Sequence, residues 1–201
     1  MVSDKFDDKT CFEKIRGYAE KNLSKERYEH SFRVAKTAEY MCGLYGIDKD
    51  KGLVAGIAHD ICKEIPDSEM ISLAGEDGKP VSELEEKKPS LLHGRAAAVK
   101  IQSEFGVRDK DVIEAVANHT FGLKNCSDLA KIIFAADKIE PGRPQSTDEY
   151  RRNLFSKDLD SLVISVLEEN LEYLNKKGKK IAPASFEWLQ QLKSGKANKE
   201  K

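Results

Sequence analysis

Along "CFEKIRGYAEKNL" the apolar residues Phe12, Ile15, Tyr18 and Ala19 return at the spacing of one helix face. Val34, Ala38, Met41 and Leu44/Tyr45 repeat the pattern in "HSFRVAKTAEYMCGLYG". Asp48 to Ile65 reads as a third helix with an aspartate start signal. Its interior, "GLVAGIAHDI", is apolar nearly all round, as suits a central buried helix that stops before Pro66. The stretch "AGEDGKPVSELEEKKPS" reads as a charged loop, with room for a short helix around Glu83 to Lys88. An alanine-rich helix follows in "LLHGRAAAVKIQSEFG", stopped by Gly106. Val112, Ala115, Val116 and His119 share one stripe of a helix over Asp109 to His119, and Leu129, Ile132, Ile133, Ala136 and Ile139/Glu140 mark another that ends at Pro141. "SLVISVLEENLEYLNKKGKK" and "SFEWLQQLK" complete the set. No alternating strand pattern of useful length and no internal repeat occurs, so the expected fold is all-α, one helical domain over residues 10–190. Residues 1–9 read as an N-terminal extension and 191–201 as a disordered basic tail.

Composition narrows the function classes. Charged residues make up 34% of the 201, but 34 basic residues nearly cancel 35 acidic ones. No global field therefore points to nucleic acid or an anionic membrane. Cys11, Cys42, Cys62 and Cys126 show no CxxC pairing, which fits reduced thiols better than a disulfide framework. The acidic N-terminus lacks the pattern of a secretory signal, and no apolar run approaches the roughly 20 residues of a membrane span. A cytoplasmic protein is expected.

The candidate chemistry lies in residues that a core would not ordinarily accept. The four histidines, His30, His59, His93 and His119, fall on or beside the apolar faces of four different helices, and Asp60 and Asp137 sit in equally apolar surroundings. Mixed imidazole and carboxylate ligation suits iron, manganese, zinc or cobalt. Each residue alone has a plainer explanation: a histidine on an apolar face is more often a hydrogen-bonded core residue. Asp60 can pair with Lys63, and Asp137 with Lys138 or Arg143. Together the six follow one order, H…HD…H…H…D, and one or two bound ions would account for the buried charge.

With "YEHSFRVA", "AHDICKE" and "AADKIEPGR" carrying an H…HD…D core, the sequence resembles the HD-domain metal-dependent phosphohydrolases, an all-helical superfamily. Within it, "HDICKEIP", "LLHGRAAA", "ANHTFG" and "AADKIEPGRP" look like the YqeK family of symmetrical dinucleoside tetraphosphatases, which carry an iron centre. The resemblance implies metal ligation by His30, His59, Asp60 and Asp137. It makes His93 and His119 candidates for a second ion or for phosphate contacts. It implies one or two iron ions, with manganese or another divalent transition metal also compatible. A dinucleoside polyphosphate would be the substrate and ADP or GDP the product. Nucleotide contacts would come from His30, Ser90, Leu91, Leu92, His93, Arg95, His119, Asp137, Arg143 and the segment Lys180, Ile181, Ala182, Pro183, Ala184 and Ser185. Asp60 would orient water or bridge two ions, and Arg143 would clamp phosphate in a bidentate way. Arg95 would add a second cation. Lys63, one turn after His59, is in reach of the site but equally suits a solvated head on a buried stem. "NKKGKKIAPAS" could be a solvated helix end or a nucleotide grip, and Phe121 and Trp188 fit a core better than a base-stacking platform. Substrates such as nucleoside monophosphates or guanosine tetraphosphate, a non-catalytic nucleotide sensor, and monomer or dimer all stay open.

Overall fold

The computed structural model describes residues 8–199. Residues 1–7 of the expected N-terminal extension, and 200–201 of the expected tail, lie outside the described residues. Among the described residues there is no strand. The helices are α1 (Asp8–Asn22), α2 (Lys25–Tyr45), α3 (Lys49–Ala58), α4 (Asp67–Gly75), α5 (Glu83–Lys87), α6 (His93–Ser103), α7 (Lys110–Asn118), α8 (Asp128–Ile139), α9 (Asp148–Phe155), α10 (Leu159–Lys176) and α11 (Pro183–Lys199). A short 3₁₀ turn over Pro89–Leu92 leads into α6.

Local chemistry sets the boundaries. The side chains of Ser24, Asp48, Asp109, Ser127, Thr147 and Asp158 each accept a backbone N–H in the first turn of the helix that follows. Ser82 and Glu85 form a reciprocal capping box that lets the five-residue α5 form within a charged loop. Gly46 closes α2 at φ 72°, a left-handed conformation that a side chain would strain.

α3 is the centre of the bundle, packed against α1, α2, α7 and α8. Its closest approach is at Gly56, where an added Cβ would lie 2.5 Å from the Ala35 Cα of α2. A side chain there would force α2 and α3 apart. Trp188 of α11 is buried edge-on against Phe134 of α8, with ring centroids 4.9 Å apart, and fastens the last helix to the core.

Four elements differ from the sequence expectation. The third helix ends at Ala58, not Ile65: the His59 N–H still bonds the Ala55 carbonyl, and the chain then leaves the helix through turns over 59–64. α4 and α9 were not foreseen. The basic tail from 191 continues α11 as far as Lys199 where disorder was expected.

Candidate metal centre

The bundle delivers four imidazoles to one place from four helices. His30 projects from the second turn of α2, His93 is the first residue of α6, and His59 and His119 follow the last residues of α3 and α7. All four are buried. Neighbouring rings stand edge to face, with centroids 5.3 Å apart for His30 and His59, 4.9 Å for His59 and His119, and 4.8 Å for His93 and His119.

Three of these histidines share one device. Nδ1 of His59 lies 2.7 Å from the Gly56 carbonyl, that of His93 2.7 Å from the Ser90 carbonyl, and that of His119 2.8 Å from the Val116 carbonyl. A carbonyl oxygen only accepts, so each Nδ1 carries the proton, and in the neutral ring Nε2 presents a lone pair. His30 obtains the same result from a side chain, with Nδ1 3.1 Å from Glu140 Oε1. Glu140 is only 1% exposed and is itself held by the Arg33 guanidinium and the Gly142 N–H.

The inward nitrogens lack adequate partners. Nε2 of His30 and of His59 are buried with no hydrogen bond. Nε2 of His93 and Nε2 of His119 face one another at 2.9 Å, two lone pairs in contact unless a cation or proton lies between them. Two imidazoles bound at about 2.1 Å to one first-row metal, at right angles, would stand about 3 Å apart. The donor set therefore fits metal. His30, His59 and Asp60 form one group of closely spaced donors, and Asp60, His93 and His119 form a second. Asp60 belongs to both: Oδ1 is 3.0 Å from His93 Nε2 and 3.7 Å from His119 Nε2, while Oδ2 is 3.6 Å from His59 Nε2 and 3.9 Å from His30 Nε2. Asp137 faces the first group, with Oδ1 3.1 Å from His30 Nε2.

The electrostatics follow from burial and these neighbours. Burial pushes His59 down to about 3, and burial also lowers His93. Burial lowers His30, but the nearby carboxylates of Asp137 and Glu140 outweigh it and raise the imidazole overall. Burial disfavours the charge on Asp60, but the imidazoles of His59, His119 and His93 outweigh it and hold the carboxyl well below its ordinary range. Asp137 is likewise held low against burial, chiefly by Lys138 and His30. The Lys138 ammonium is itself lowered by burial; it lies 3.3 Å from both Asp137 Oδ2 and the His119 carbonyl, and 3.8 Å from the centre of the Phe134 ring.

The site opens into a cleft of about 1010 Å³ whose wall includes Asp60, His93, His119 and Asp137. Of the expected nucleotide-contact residues, Leu91, Arg143, Lys180, Ala182 and Ser185 also line it. Arg143 is anchored there: its Nη2 donates to Asp137 Oδ1 at 2.6 Å and its Nε to the Asp137 carbonyl at 2.8 Å. Ser185 donates to the Phe121 carbonyl, tying the C-terminal segment to the cleft wall. His30, Ser90, Leu92, Ile181, Pro183 and Ala184 do not reach the wall, and Leu92 is fully buried. Arg95 is not brought to the cleft either. Its guanidinium makes two 2.7 Å bonds to the Asp77 carboxylate and bonds the carbonyls of Lys79 and Pro80, so it braces the loop after α4. Phe121 lines the cleft, whereas Trp188 is core. Lys63 reaches the site, with Nζ 3.2 Å from His93 Nδ1.

Two residues that contact the cluster carry no signal in the sequence. Arg27 donates from Nη1 to Asp60 Oδ2 at 2.8 Å and stands on the cleft wall, the pairing that the sequence offered to Lys63. Glu140 read as the polar end of an apolar stripe. Only the 110-residue sequence separation closed by its bond to His30 gives it a role.

A helical bundle that turns buried, unpartnered imidazole nitrogens and carboxylates inward defines a metal-dependent HD-type scaffold. The HD domain model matches residues 27–142, and the chain belongs to that family. It is 36% identical over 171 residues to a symmetrical bis(5'-nucleosyl)-tetraphosphatase of Halalkalibacterium halodurans, covering 85% of this chain and 91% of that protein. It is 32% identical over 173 residues to the protein of the same name in Bacillus subtilis, covering 86% of this chain and 92% of the relative. Among solved structures, a predicted HD superfamily hydrolase involved in NAD metabolism from Clostridium acetobutylicum superposes with a TM-score of 0.83 at 32% identity, covering 91% of this chain and 97% of the other.

Proposed function

We propose that this protein hydrolyses dinucleoside tetraphosphates symmetrically, converting diadenosine tetraphosphate to two ADP, or the guanine analogue to two GDP. The observation that carries the reading is Asp60, one carboxylate shared between two buried histidine groups beside a cleft lined with cations. The relatives named symmetrical bis(5'-nucleosyl)-tetraphosphatase support this choice of substrate. The oxygen of a water molecule bonds to an inner phosphorus, the central phosphoanhydride P–O bond breaks, and the bridging oxygen leaves with the second nucleoside diphosphate.

His30, His59, Asp60 and Asp137 would hold one ion, with His93, His119 and Asp60 placed for a second; iron is the expected metal and manganese fits the same donors. Such an ion, when bound, lowers the pKa of water and offsets phosphoryl charge. Asp60 is kept ionised by its neighbours and is the group positioned to orient that water. Arg143 and Arg27, both on the cleft wall, present guanidinium forks to phosphate oxygens. Lys63 and Lys138 add positive charge beside the same carboxylates, where a polyphosphate chain would otherwise be repelled.

The test is product chromatography after incubating anaerobically purified, metal-analysed protein with diadenosine tetraphosphate. ADP as sole product, lost together with bound metal in Asp60→Ala, is expected. ATP plus AMP would overturn the symmetrical mode, and bound metal with no turnover would redirect the assignment to another nucleotide.

A further inference from the structure

A tetraphosphate cut at its middle leaves one nucleoside diphosphate on either side of the reacting phosphorus, so the cleft must hold two nucleosides. The contact residues considered above, around His93, His119, Arg143 and the segment Lys180–Ser185, describe one holder. The cleft extends beyond them along α10, where Val166, Glu169, Asn170, Tyr173 and Leu174 recur at helical spacing on its wall.

This stretch of α10 has the features of a ligand surface. Tyr173 is a large aromatic left 53% exposed on the wall of a concave cleft. Two ammonium groups flank its ring, Lys177 Nζ at 5.9 Å and Lys179 Nζ at 6.0 Å from the centroid, and Lys179 also lines the cleft. An aromatic face bordered by cations combines a stacking platform for a base with an anchor for its phosphates. Asn170, one helical turn before Tyr173, reaches the same wall with a side-chain amide that makes no hydrogen bond among the described residues. That amide offers both a donor and an acceptor to a base edge. Glu169 is already engaged: it accepts the Tyr150 hydroxyl at 2.5 Å, which braces α9 against α10 beneath the platform.

We infer that this α10 wall is the second nucleoside subsite, taking a purine nucleoside diphosphate half with its base on Tyr173, its edge at Asn170 and its phosphates toward Lys179. The inference rests on the tetraphosphatase reading.

The experiment titrates metal-loaded full-length protein with ADP by calorimetry and measures KM for diadenosine tetraphosphate, comparing wild type, Tyr173→Ala, Tyr173→Phe and the distant exposed control Tyr40→Ala. Wild type, Tyr173→Phe and Tyr40→Ala are expected to bind two ADP per chain. Tyr173→Ala should bind one and raise KM roughly tenfold, the scale of one lost base stack. Two ADP bound by Tyr173→Ala, or one by wild type, would overturn the subsite. Absence of ADP formation by wild type would instead remove the hydrolase reading on which it stands.

Discussion

Glu140 and His30 are joined across the interface of α8 and α2, carboxylate to Nδ1 at 3.1 Å, in a setting where water has almost no access. The bond fixes which His30 nitrogen faces the His59–Asp60–Asp137 cluster, and outer partners of this kind at a metal site are worth about 10- to 100-fold in metal affinity. Glu140→Gln is therefore expected to bind metal roughly 10- to 100-fold more weakly. A chelator competition assay measures it, and affinity equal to wild type would show that the ring is oriented by packing alone.

Gly94 in α6 sits where an added Cβ would lie 2.9 Å from the Val116 carbonyl and 3.0 Å from His119 Cε1. Gly94→Ala must push α7 and the His119 ring outward, an overpacking cost of about 1–3 kcal/mol. The expected result is a stable but slower enzyme, with turnover reduced roughly tenfold as for other losses of ligand support. Unchanged turnover with a lowered Tm would mean that His119 does not need its present position.

Metal removal should cost stability, since Nε2 of His30 and of His59 would be left buried without partners. At a free metal concentration about 1,000 times Kd, binding contributes about 4 kcal/mol, worth roughly 8–16 °C in Tm for a chain of this size. Differential scanning of protein with and without EDTA measures the shift, and readdition of the ion should reverse it. A Tm indifferent to EDTA would argue against a tightly held ion.

Asp158 caps α10, and its carboxyl is held at about 2 by the Ser161 hydroxyl and N–H and by Lys196, from an ordinary value of 3.8. A depressed carboxylate stabilises the fold fully above its unfolded value, and the contribution is lost as pH falls through the folded one. Wild type should thus exceed Asp158→Asn in Tm at pH 6 and converge with it between pH 3.8 and about 2. A gap that persists at pH 2 would show that the cap does not depend on charge.

The long helices and the six-residue His/Asp cluster were legible because each carries its own signal: an apolar period for α2, α8 and α10, and charge in the wrong place for His59, Asp60 and Asp137. What the sequence hid was short or distant. α9 spans eight residues, half of them charged, with only Leu154 buried, so no period can be read from it. α4 begins at a proline-capped turn and buries only Met70 and Ala74. Arg95 looked free at the head of α6, and only the fold brings Asp77 to it. Arg27 carries no sequence signal, and Glu140 reads only as the polar end of an apolar stripe until α2, α3 and α8 are packed together.

Three of the four imidazoles owe their orientation to carbonyls of the main chain three residues earlier. A main-chain oxygen is present whatever side chain occupies the position, so substitutions at residues 56, 90 and 116 that preserve the local turn cannot delete these partners. His30 alone depends on a replaceable side chain. Exchange of the supporting side chains should therefore spare the aim of three imidazoles and act on the one whose support is encoded far away, at position 140.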